Sequence, residues 1–403
     1  MPLQQQSSQH KNSPPLLELG FRIFFLGAGL FAIISLVSWG AVIFSYFAPH
    51  LQQMSTSQWH AHEMIFGYAV AVIAGFLLTA VRNWTGIQTI VGKPLLALFC
   101  TWAIARLAFL LGIYAVHIAL WFDMLFAVFL VYSVSIPIFK TKQWHQLFLL
   151  TKLVLLFAAN LLFYLGLFNI IDNGVFIGLY GGLFLVIAII FNMARRVLAF
   201  FIERGIDDPV KLWQHKWLDG AIYLFLIIFI SSYLFIHTEE MTNISAVAIA
   251  VLNSIRLAAW HRAGIWRRSL LWSLYLAFWF INLGFMLFAA SEMLMISKSV
   301  AIHTLTVGGI GIFTLSMMCR ISLGHTGRDV SQPPKGVAYI LALMLVAACV
   351  RILFPIAAPD YYSWWISSSL LLWLLAFCIF VWVYWPIISQ PRPDTMPIIK
   401  PKN

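Results

Sequence analysis

The pattern of apolar and polar positions divides the chain into long apolar runs separated by short polar segments. A helix needs roughly 20 mostly apolar residues to cross about 30 Å of hydrocarbon. No segment alternates apolar and polar residues in the way that predicts a β-strand. We therefore predict twelve transmembrane helices, near residues 21–47, 60–81, 94–115, 117–139, 145–167, 174–197, 217–237, 242–259, 270–290, 299–320, 336–357 and 364–388.

These runs predict an all-α, polytopic integral membrane bundle, because backbone polar groups in lipid must be satisfied within each segment. The composition agrees: 62% of the residues are hydrophobic, 10% are charged, and the mean hydropathy is +0.90. Such a chain cannot build a soluble surface. We predict one membrane domain over residues 21–388, a disordered cytoplasmic tail over 1–20, and a second cytoplasmic tail over 389–403.

The basic residues predict the orientation of the bundle. With the N-terminus in the cytoplasm, all 25 lysines and arginines fall on the inner side except Arg106, Lys152, Lys298 and Arg351. The positive-inside rule therefore predicts that both termini are cytoplasmic. Orientation also explains the net charge of +11 without a nucleic-acid partner, since no contiguous basic patch is left over for phosphate binding.

The head of the second predicted helix carries residue types that bind metals, in the segment Trp59-His60-Ala61-His62-Glu63-Met64. Polar side chains are costly in a membrane and are typical of functional sites. Two helical residues at this spacing point about 200° apart, so His60 and His62 cannot face one centre. Either the helix begins between them, or they serve two different centres.

A third histidine, His303, opens the tenth predicted helix at a similar depth and is followed by Gly308 and Gly309. One imidazole from each of two helices, beside glycines that leave backbone clearance, is what a haem needs. We predict a haem or metal site near the outer leaflet, ligated by His303 and by His60 or His62. The alternative is that these are interfacial histidines hydrogen-bonded to polar neighbours.

Each of the other polar residues near this predicted site has two possible roles. Glu63 and Met64 are predicted to support the ligands or to bind copper, because a soft thioether suits Cu(I); ordinary helix content is the alternative. Arg106 is predicted to pair with Asp123. In the sharper hypothesis, Arg106 or Arg351 binds a haem propionate, since guanidinium holds a carboxylate in a bidentate fashion.

Common hydrolase motifs are missing from the sequence. Phe66 stands where a zinc hydrolase of the H-E-x-x-H type needs its second histidine, and neither a P-loop nor a G-x-S-x-G elbow occurs.

The second and tenth helices end in two similar segments, residues 83–86 and 324–328. In the second of these segments we predict Gly324 as the C-cap of the tenth helix. The alternative is a cytoplasmic site for an anionic partner or a quinol headgroup, formed by Asn83, Trp84, His325 and Arg328.

These residues together resemble the NnrS family over essentially the whole chain. The resemblance is carried by residues 59–67, 74–80 and 83–86, by His303-Thr304-Leu305-Thr306-Val307-Gly308 and by Leu323-Gly324-His325-Thr326-Gly327-Arg328. It implies a bacterial inner-membrane protein with non-covalent, b-type haem and with copper. It also implies a role in nitric oxide metabolism, in tolerance to nitrosative stress or in denitrification.

Two departures from the family pattern put copper in doubt. Tyr275 stands where the family often has a histidine, and residues 192–199 lack the expected Gly-Gly-Arg-x-Ile-Pro pattern. The resemblance leaves open whether the chain is an oxidoreductase, a sensor or a protection factor, with a quinol or redox protein as partner. Rival hypotheses are a twelve-helix secondary transporter of a small solute and a factor that assembles a respiratory complex.

Overall fold

The computed structural model describes residues 14–44, 54–109, 113–208 and 210–393. Within these ranges the chain forms long helices and no strand, which confirms the all-α bundle. The long helices are α1 (Gly20–Ile43), α2 (Thr56–Thr85), α3 (Lys93–Ala108), α4 (Ile113–Lys140), α5 (Leu147–Leu167), α6 (Gly174–Gly205), α7 (Lys216–Ile236), α8 (Glu239–Trp260), α9 (Ser269–Ala290), α10 (Lys298–His325), α11 (Gly336–Ala357) and α12 (Tyr362–Ser389).

Eleven of the helices in the described ranges are long and apolar enough to cross a membrane. The remaining one, α3, has 16 residues and is shorter than the roughly 20 that a crossing needs. The predicted spans agree with the helices to within about five residues, except that α3 ends at Ala108, before its predicted end, and α6 continues eight residues beyond its predicted end, to Gly205. Residues 45–47 and 110–112 of the predicted spans lie outside the described ranges. Residues 1–13 and 394–403 of the predicted tails also lie outside them, and the cytoplasmic position of the termini stays a prediction.

Short connections make successive helices alternate in direction, so α2, α10 and α12 begin at one end of the bundle, where α11 finishes. We call this the histidine end and the other the opposite end. The helices α2 and α10 are among the most enclosed. By contrast, α4, α7 and α12 expose large apolar side chains such as Trp121, Ile227 and Trp382, as expected of a lipid-facing surface.

Both histidine-bearing helices contain a π-helical segment directly after the histidines. It covers Glu63–Ala69 in α2 and Thr304–Gly311 in α10. Such segments are rare and are frequent at functional sites. In α2 the carbonyl oxygen of Gly67 accepts a hydrogen bond of 3.0 Å from Nε1 of Trp102, which stabilises the irregular turn.

The glycines of these two helices admit aromatic side chains from neighbouring helices. A Cβ on Gly67 would lie 2.6 Å from the ring of Phe31, and a Cβ on Gly308 would lie 2.5 Å from the ring of Phe280. Any larger residue would therefore collide with a packed ring. The small residues thus serve close helix packing at these positions.

Candidate functional site

The first turn of α2 decides how its two histidines are placed. The Ser55 hydroxyl accepts a hydrogen bond from the Gln58 backbone N–H, and the Gln58 side chain accepts one from the Ser55 N–H. This capping box fixes the helix start ahead of both histidines. The helix therefore does not begin between them, and that alternative was wrong. His60 and His62 face two different groups of residues.

His62 lies in a closed polar environment and is fully buried. Its Nδ1 is 3.0 Å from Oε1 of Glu63, and its Nε2 is 2.9 Å from Oδ1 of Asn160. The ring also stacks on Phe163 at a centroid distance of 4.4 Å. Both nitrogens are thus engaged with oxygen acceptors, which leaves neither as a ready metal ligand.

Arg106 joins this environment into one charged network. Its guanidinium forms ion pairs with both Glu63 and Asp123, which confirms the predicted pairing with Asp123 and adds a second partner. Asp123 Oδ2 accepts hydrogen bonds from Tyr164 Oη at 2.8 Å and from Asn160 Nδ2 at 3.3 Å. We call this group the His62 cluster; its members are His62, Glu63, Arg106, Asp123, Asn160 and Tyr164.

Sequence reasoning missed Asn160 and Tyr164. They stand four residues apart in the otherwise apolar run of α5, so they share one helix face. Polar residues at that spacing within an apolar span indicate an inward-facing polar contact. That pattern was the available signal.

His60, unlike His62, packs against an aromatic ring and has a ring nitrogen without a hydrogen-bond partner among the described residues. Its ring stacks on Trp39 with centroids 4.5 Å apart and planes inclined by 14°. Its Nδ1 is buried and has no hydrogen-bond partner in the part of the chain that the structure describes. Trp39 covers the face of the ring, whereas a metal binds a ring nitrogen in the plane of the imidazole. The nitrogens of His60 therefore stay available.

His303 is oriented by its own helix and by Arg351. Its Nδ1 lies 2.7 Å from the carbonyl oxygen of Ser299, one turn earlier, and 3.2 Å from Nη2 of Arg351. The carbonyl can only accept a hydrogen bond and the guanidinium can only donate one, so the shorter contact favours the tautomer with the proton on Nδ1 and the lone pair on Nε2. No described residue hydrogen-bonds to Nε2. Metal-ligating histidines typically donate their second N–H to a carbonyl or carboxylate in this way.

Arg351 lies close to His60 and His303, and it is 6% exposed. Its Nη2 lies 3.2 Å from His303 Nδ1, 3.3 Å from Ser299 Oγ and 3.4 Å from Tyr362 Oη. Its Nη1 is buried and has no hydrogen-bond partner among the described residues. Among the described residues, no carboxylate forms an ion pair with it. Its charge interacts electrostatically with both His60 and His303.

These residues therefore lie together at the histidine end, and we call them the His60–His303 cluster. A buried guanidinium without an anion is costly in this environment, because no opposite charge among the described residues offsets its loss of hydration. The cluster thus offers a cation and two imidazoles to an anionic or metal-containing group. Its members are His60, His303, Arg351, Ser299, Tyr362 and Trp39.

The predicted supporting residues are placed as follows. Glu63 is committed to Arg106, whereas Met64 Sδ accepts a hydrogen bond of 3.7 Å from Ser35 Oγ. Tyr275 donates to the Leu257 carbonyl oxygen at 2.8 Å, near the opposite end of the bundle. Within the described ranges, no group of three or more His, Cys, Asp or Glu residues is arranged to hold a metal ion.

The motifs at the opposite end close α2 and α10 in the same manner. Gly86 and Gly327 adopt left-handed conformations, with φ of 71° and 72°. The Arg328 N–H donates to the Leu323 carbonyl oxygen at 3.0 Å, as in a Schellman motif. The prediction that Gly324 caps α10 was wrong, because the helix continues to His325 and the positive φ falls on Gly327.

Two of the four predicted residues of this motif meet in space. Asn83 Nδ2 lies 3.5 Å from His325 Nε2. Trp84 instead packs beneath the guanidinium of Arg196, whose central carbon is 3.7 Å from the indole centroid. Arg328 lies on the turn after His325, and its side-chain Nη1 makes a long contact of 3.4 Å to the Thr326 carbonyl oxygen.

A cavity of about 200 Å³ opens at the histidine end between α6, α7, α8 and α9. Sequence reasoning did not single it out. Its floor contains Ser232 and Thr242, which are buried and hydrogen-bonded to each other at 2.9 Å. Its rim carries Glu239, Glu292 and Lys298, and the Nζ of Lys298 lies 3.3 Å from Oε1 of Glu292.

Comparison with known proteins gives one family. The sequence model of the NnrS family, described as "NnrS protein", matches residues 15–392 and so includes all the helices named above. No curated protein matches the chain.

Proposed function

The chain belongs to the NnrS family, and from that premise we propose that it binds haem and acts in nitric oxide metabolism or in protection against nitrosative stress. Membership of the family and the apolar helices support a multi-pass membrane protein with a function related to nitric oxide. Placement in the bacterial inner membrane, and the haem itself, are parts of the proposal.

One observation carries the proposal: the buried guanidinium of Arg351 lies beside two imidazoles, and the described residues supply neither a carboxylate to the guanidinium nor a partner to one nitrogen of each ring. Imidazole nitrogen is a common axial ligand of haem iron. The propionates of haem are carboxylates, which an arginine binds with short, charge-assisted hydrogen bonds. The unpartnered Nδ1 of His60 and Nη1 of Arg351 therefore fit the chemistry of this group.

The geometry favours particular members of the predicted set. His303 and His60 are the proposed ligands, because both nitrogens of His62 are engaged by Glu63 and Asn160. Arg351 is the proposed propionate partner. Arg106 is less suited, since it is already held by the carboxylates of Glu63 and Asp123.

The proposal also gives roles to the residues around the proposed ligands. Ser299 fixes the orientation of His303 through its carbonyl oxygen, which also raises the basicity of the ligand. Tyr362 and the Ser299 hydroxyl orient Arg351. When bound, haem would supply an iron that binds nitric oxide, a small uncharged gas that partitions into the apolar bundle. Copper is a secondary part of the proposal, with the thioether of Met64 as its expected ligand.

The test is the absorbance and metal content of the purified full-length protein. We expect a Soret band and stoichiometric iron, and reconstitution with haemin should restore both in protein that was purified without haem. Protein that shows neither, even after haemin is added, would sink the haem proposal. The reduced protein should then change its Soret spectrum when nitric oxide is added; an unchanged spectrum would separate haem binding from the nitric oxide function.

The second candidate function is secondary transport of a small solute. The observation that favours it is the cavity at the histidine end, together with the π-helical interruptions of α2 and α10, because transporters use broken helices at their binding sites. Uptake of a solute into liposomes by protein that carries no haem would support transport over the haem proposal.

A further inference from the structure

The cavity of about 200 Å³ at the histidine end has an aromatic wall. Phe176, Tyr233 and Phe288 line it. The ring centroids of Tyr233 and Phe288 lie 5.0 Å apart, and those of Phe176 and Tyr233 lie 5.4 Å apart. Rings packed at these distances hold one another in place. The wall therefore offers a ligand a preformed apolar and aromatic surface.

The floor of the cavity offers oxygen acceptors. Ser232, Thr242 and Ser291 line it and are at most 4% exposed. A hydroxyl has one proton to donate, and each of these hydroxyls donates to a backbone carbonyl oxygen one turn earlier, at 3.1, 2.7 and 2.9 Å respectively. The protons are thus used within the protein, and oxygen lone pairs remain for a ligand.

A fourth lining hydroxyl, that of Thr238, has no partner. Thr238 is the N-cap of α8, where a threonine side chain usually accepts a hydrogen bond from the first turn. It makes no such bond, and its Oγ1 is buried without a hydrogen-bond partner among the described residues. The preceding residue, His237, has a φ of 57°, which is uncommon outside glycine. This turn thus leaves a polar atom at the cavity that a ligand can satisfy.

The charges at the rim favour a cation. Nζ of Lys298 lies 3.3 Å from Oε1 of Glu292 and 4.0 Å from Oε1 of Glu239, so one ammonium group faces two carboxylates. The helix dipoles cancel here, because the C-termini of α7 and α9 meet the N-termini of α8 and α10. All three side chains are about half exposed, and an ion pair of this kind contributes little stability. A ligand can therefore take the place of Lys298.

We propose that this cavity binds a small organic cation, a primary alkylammonium ion. Its N–H groups would donate to the rim carboxylates and to the hydroxyl oxygens of the floor. Its alkyl chain would pack on the aromatic wall, which also attracts a cation. An anion of the same size would meet two carboxylates and oxygen lone pairs instead. The cavity shares no residue with the His60–His303 cluster, and the inference requires neither haem nor transport.

The test compares three probes that share one alkyl chain: n-butylammonium, n-butanol and n-butyrate. A water molecule occupies about 30 Å³, so the cavity has room for roughly six such groups and accepts each probe. Affinities are measured by saturation-transfer NMR on the full-length protein in deuterated detergent. We expect wild type to bind n-butylammonium about 10-fold more tightly than n-butanol, and n-butyrate most weakly.

The test variant is Glu239→Gln with Glu292→Gln, which leaves Lys298 without a carboxylate at the rim. We expect its affinity for n-butylammonium to fall to that for n-butanol, and its affinity for n-butyrate to rise. The matched control is Glu240→Gln, which removes an exposed carboxylate from the same turn of α8 without touching the cavity. This control should keep the preference of wild type.

Two further variants separate binding from folding. Lys298→Gln removes the internal competitor for the carboxylates, and we expect it to bind n-butylammonium about 3- to 10-fold more tightly. Thr238→Val keeps the shape of the side chain but removes the hydroxyl, and we expect the affinity to fall about 2- to 10-fold. A gain of affinity in the first variant cannot come from a damaged fold.

Four results would overturn the inference. Wild type would bind n-butanol as tightly as n-butylammonium, the double variant would keep the preference, Glu240→Gln would lose as much affinity as the double variant, or sodium at the same concentration would displace n-butylammonium. Thermal unfolding of each variant without ligand checks that the fold is intact. The haem spectrum is measured on the same samples, so that this inference and the proposed function can fail separately.

Discussion

The His62 cluster and the His60–His303 cluster each combine histidine, a buried arginine and a tyrosine, yet their hydrogen bonding differs. In the first, Arg106 is neutralised by two carboxylates and both nitrogens of His62 have partners. In the second, Arg351 has no carboxylate and Nδ1 of His60 has no hydrogen bond among the described residues. His62 of the first cluster and His60 of the second are only two positions apart on α2.

The difference teaches that residue type alone does not identify a binding site in a membrane protein. A buried polar group is stable when its partners are supplied by the protein, and such a network holds helices together. When the protein supplies no partner, the buried polar group either lowers the stability of the fold or binds a ligand from outside the chain. The predictions below test this distinction, from the largest expected effect to the smallest.

Substituting Arg106 and Arg351 one at a time should give the largest difference between the two clusters, measured as the free energy of unfolding. Arg106→Ala leaves the carboxylates of Glu63 and Asp123 buried without a countercharge, and we expect a loss of about 3–5 kcal/mol in the free energy of unfolding. Arg351→Ala removes a cation that has no anion, so the stability of haem-free protein should change little or rise. Denaturant unfolding in detergent micelles measures both. Equal destabilisation by the two variants would break the comparison.

Removing the histidines should separate ligands from structural residues. We expect His60→Ala and His303→Ala each to weaken haem binding at least 100-fold, about 2.7 kcal/mol or more, and to shift the Soret band. His62→Gln should keep the wild-type spectrum and lower only the stability, because Glu63 and Asn160 lose a buried partner. The control is His117→Ala, whose ring stacks on Phe168 outside both clusters. A spectrum altered by His62→Gln alone would reverse the assignment.

The smallest effect is expected from the residues that orient Arg351. Tyr362→Phe removes one hydroxyl partner of the guanidinium, and its contact distance of 3.4 Å indicates a weak hydrogen bond. We expect haem affinity to fall about 2- to 10-fold, since a single hydrogen bond contributes about 0.5–1.5 kcal/mol. Titration of apoprotein with haemin measures the change. In the background of Arg351→Ala the same substitution should have no effect; an undiminished effect there would contradict the role given to Tyr362.

The candidate site was predictable only in part from the chain. His60, His303 and Arg351 stand out as polar residues within apolar runs, and so do Arg106 and Asp123. The sequence did not show that Arg106 also pairs with Glu63, or that Asn160 and Tyr164 complete the network. It also placed the C-cap of α10 at Gly324, although the left-handed glycine is Gly327. Such details depend on how far a helix continues and on which neighbour faces it.

By itself, the sequence determined that the chain is an all-helical membrane bundle, where most helices begin and end, and which family it resembles. Transfer of a run into lipid depends on the local apolar content of that run, so these properties can be read one segment at a time. Only the tertiary structure decided that His62 joins Arg106 while His60 joins His303 and Arg351. Helix rotation is set by many weak packing contacts between distant segments, and this rotation decides which polar groups find partners.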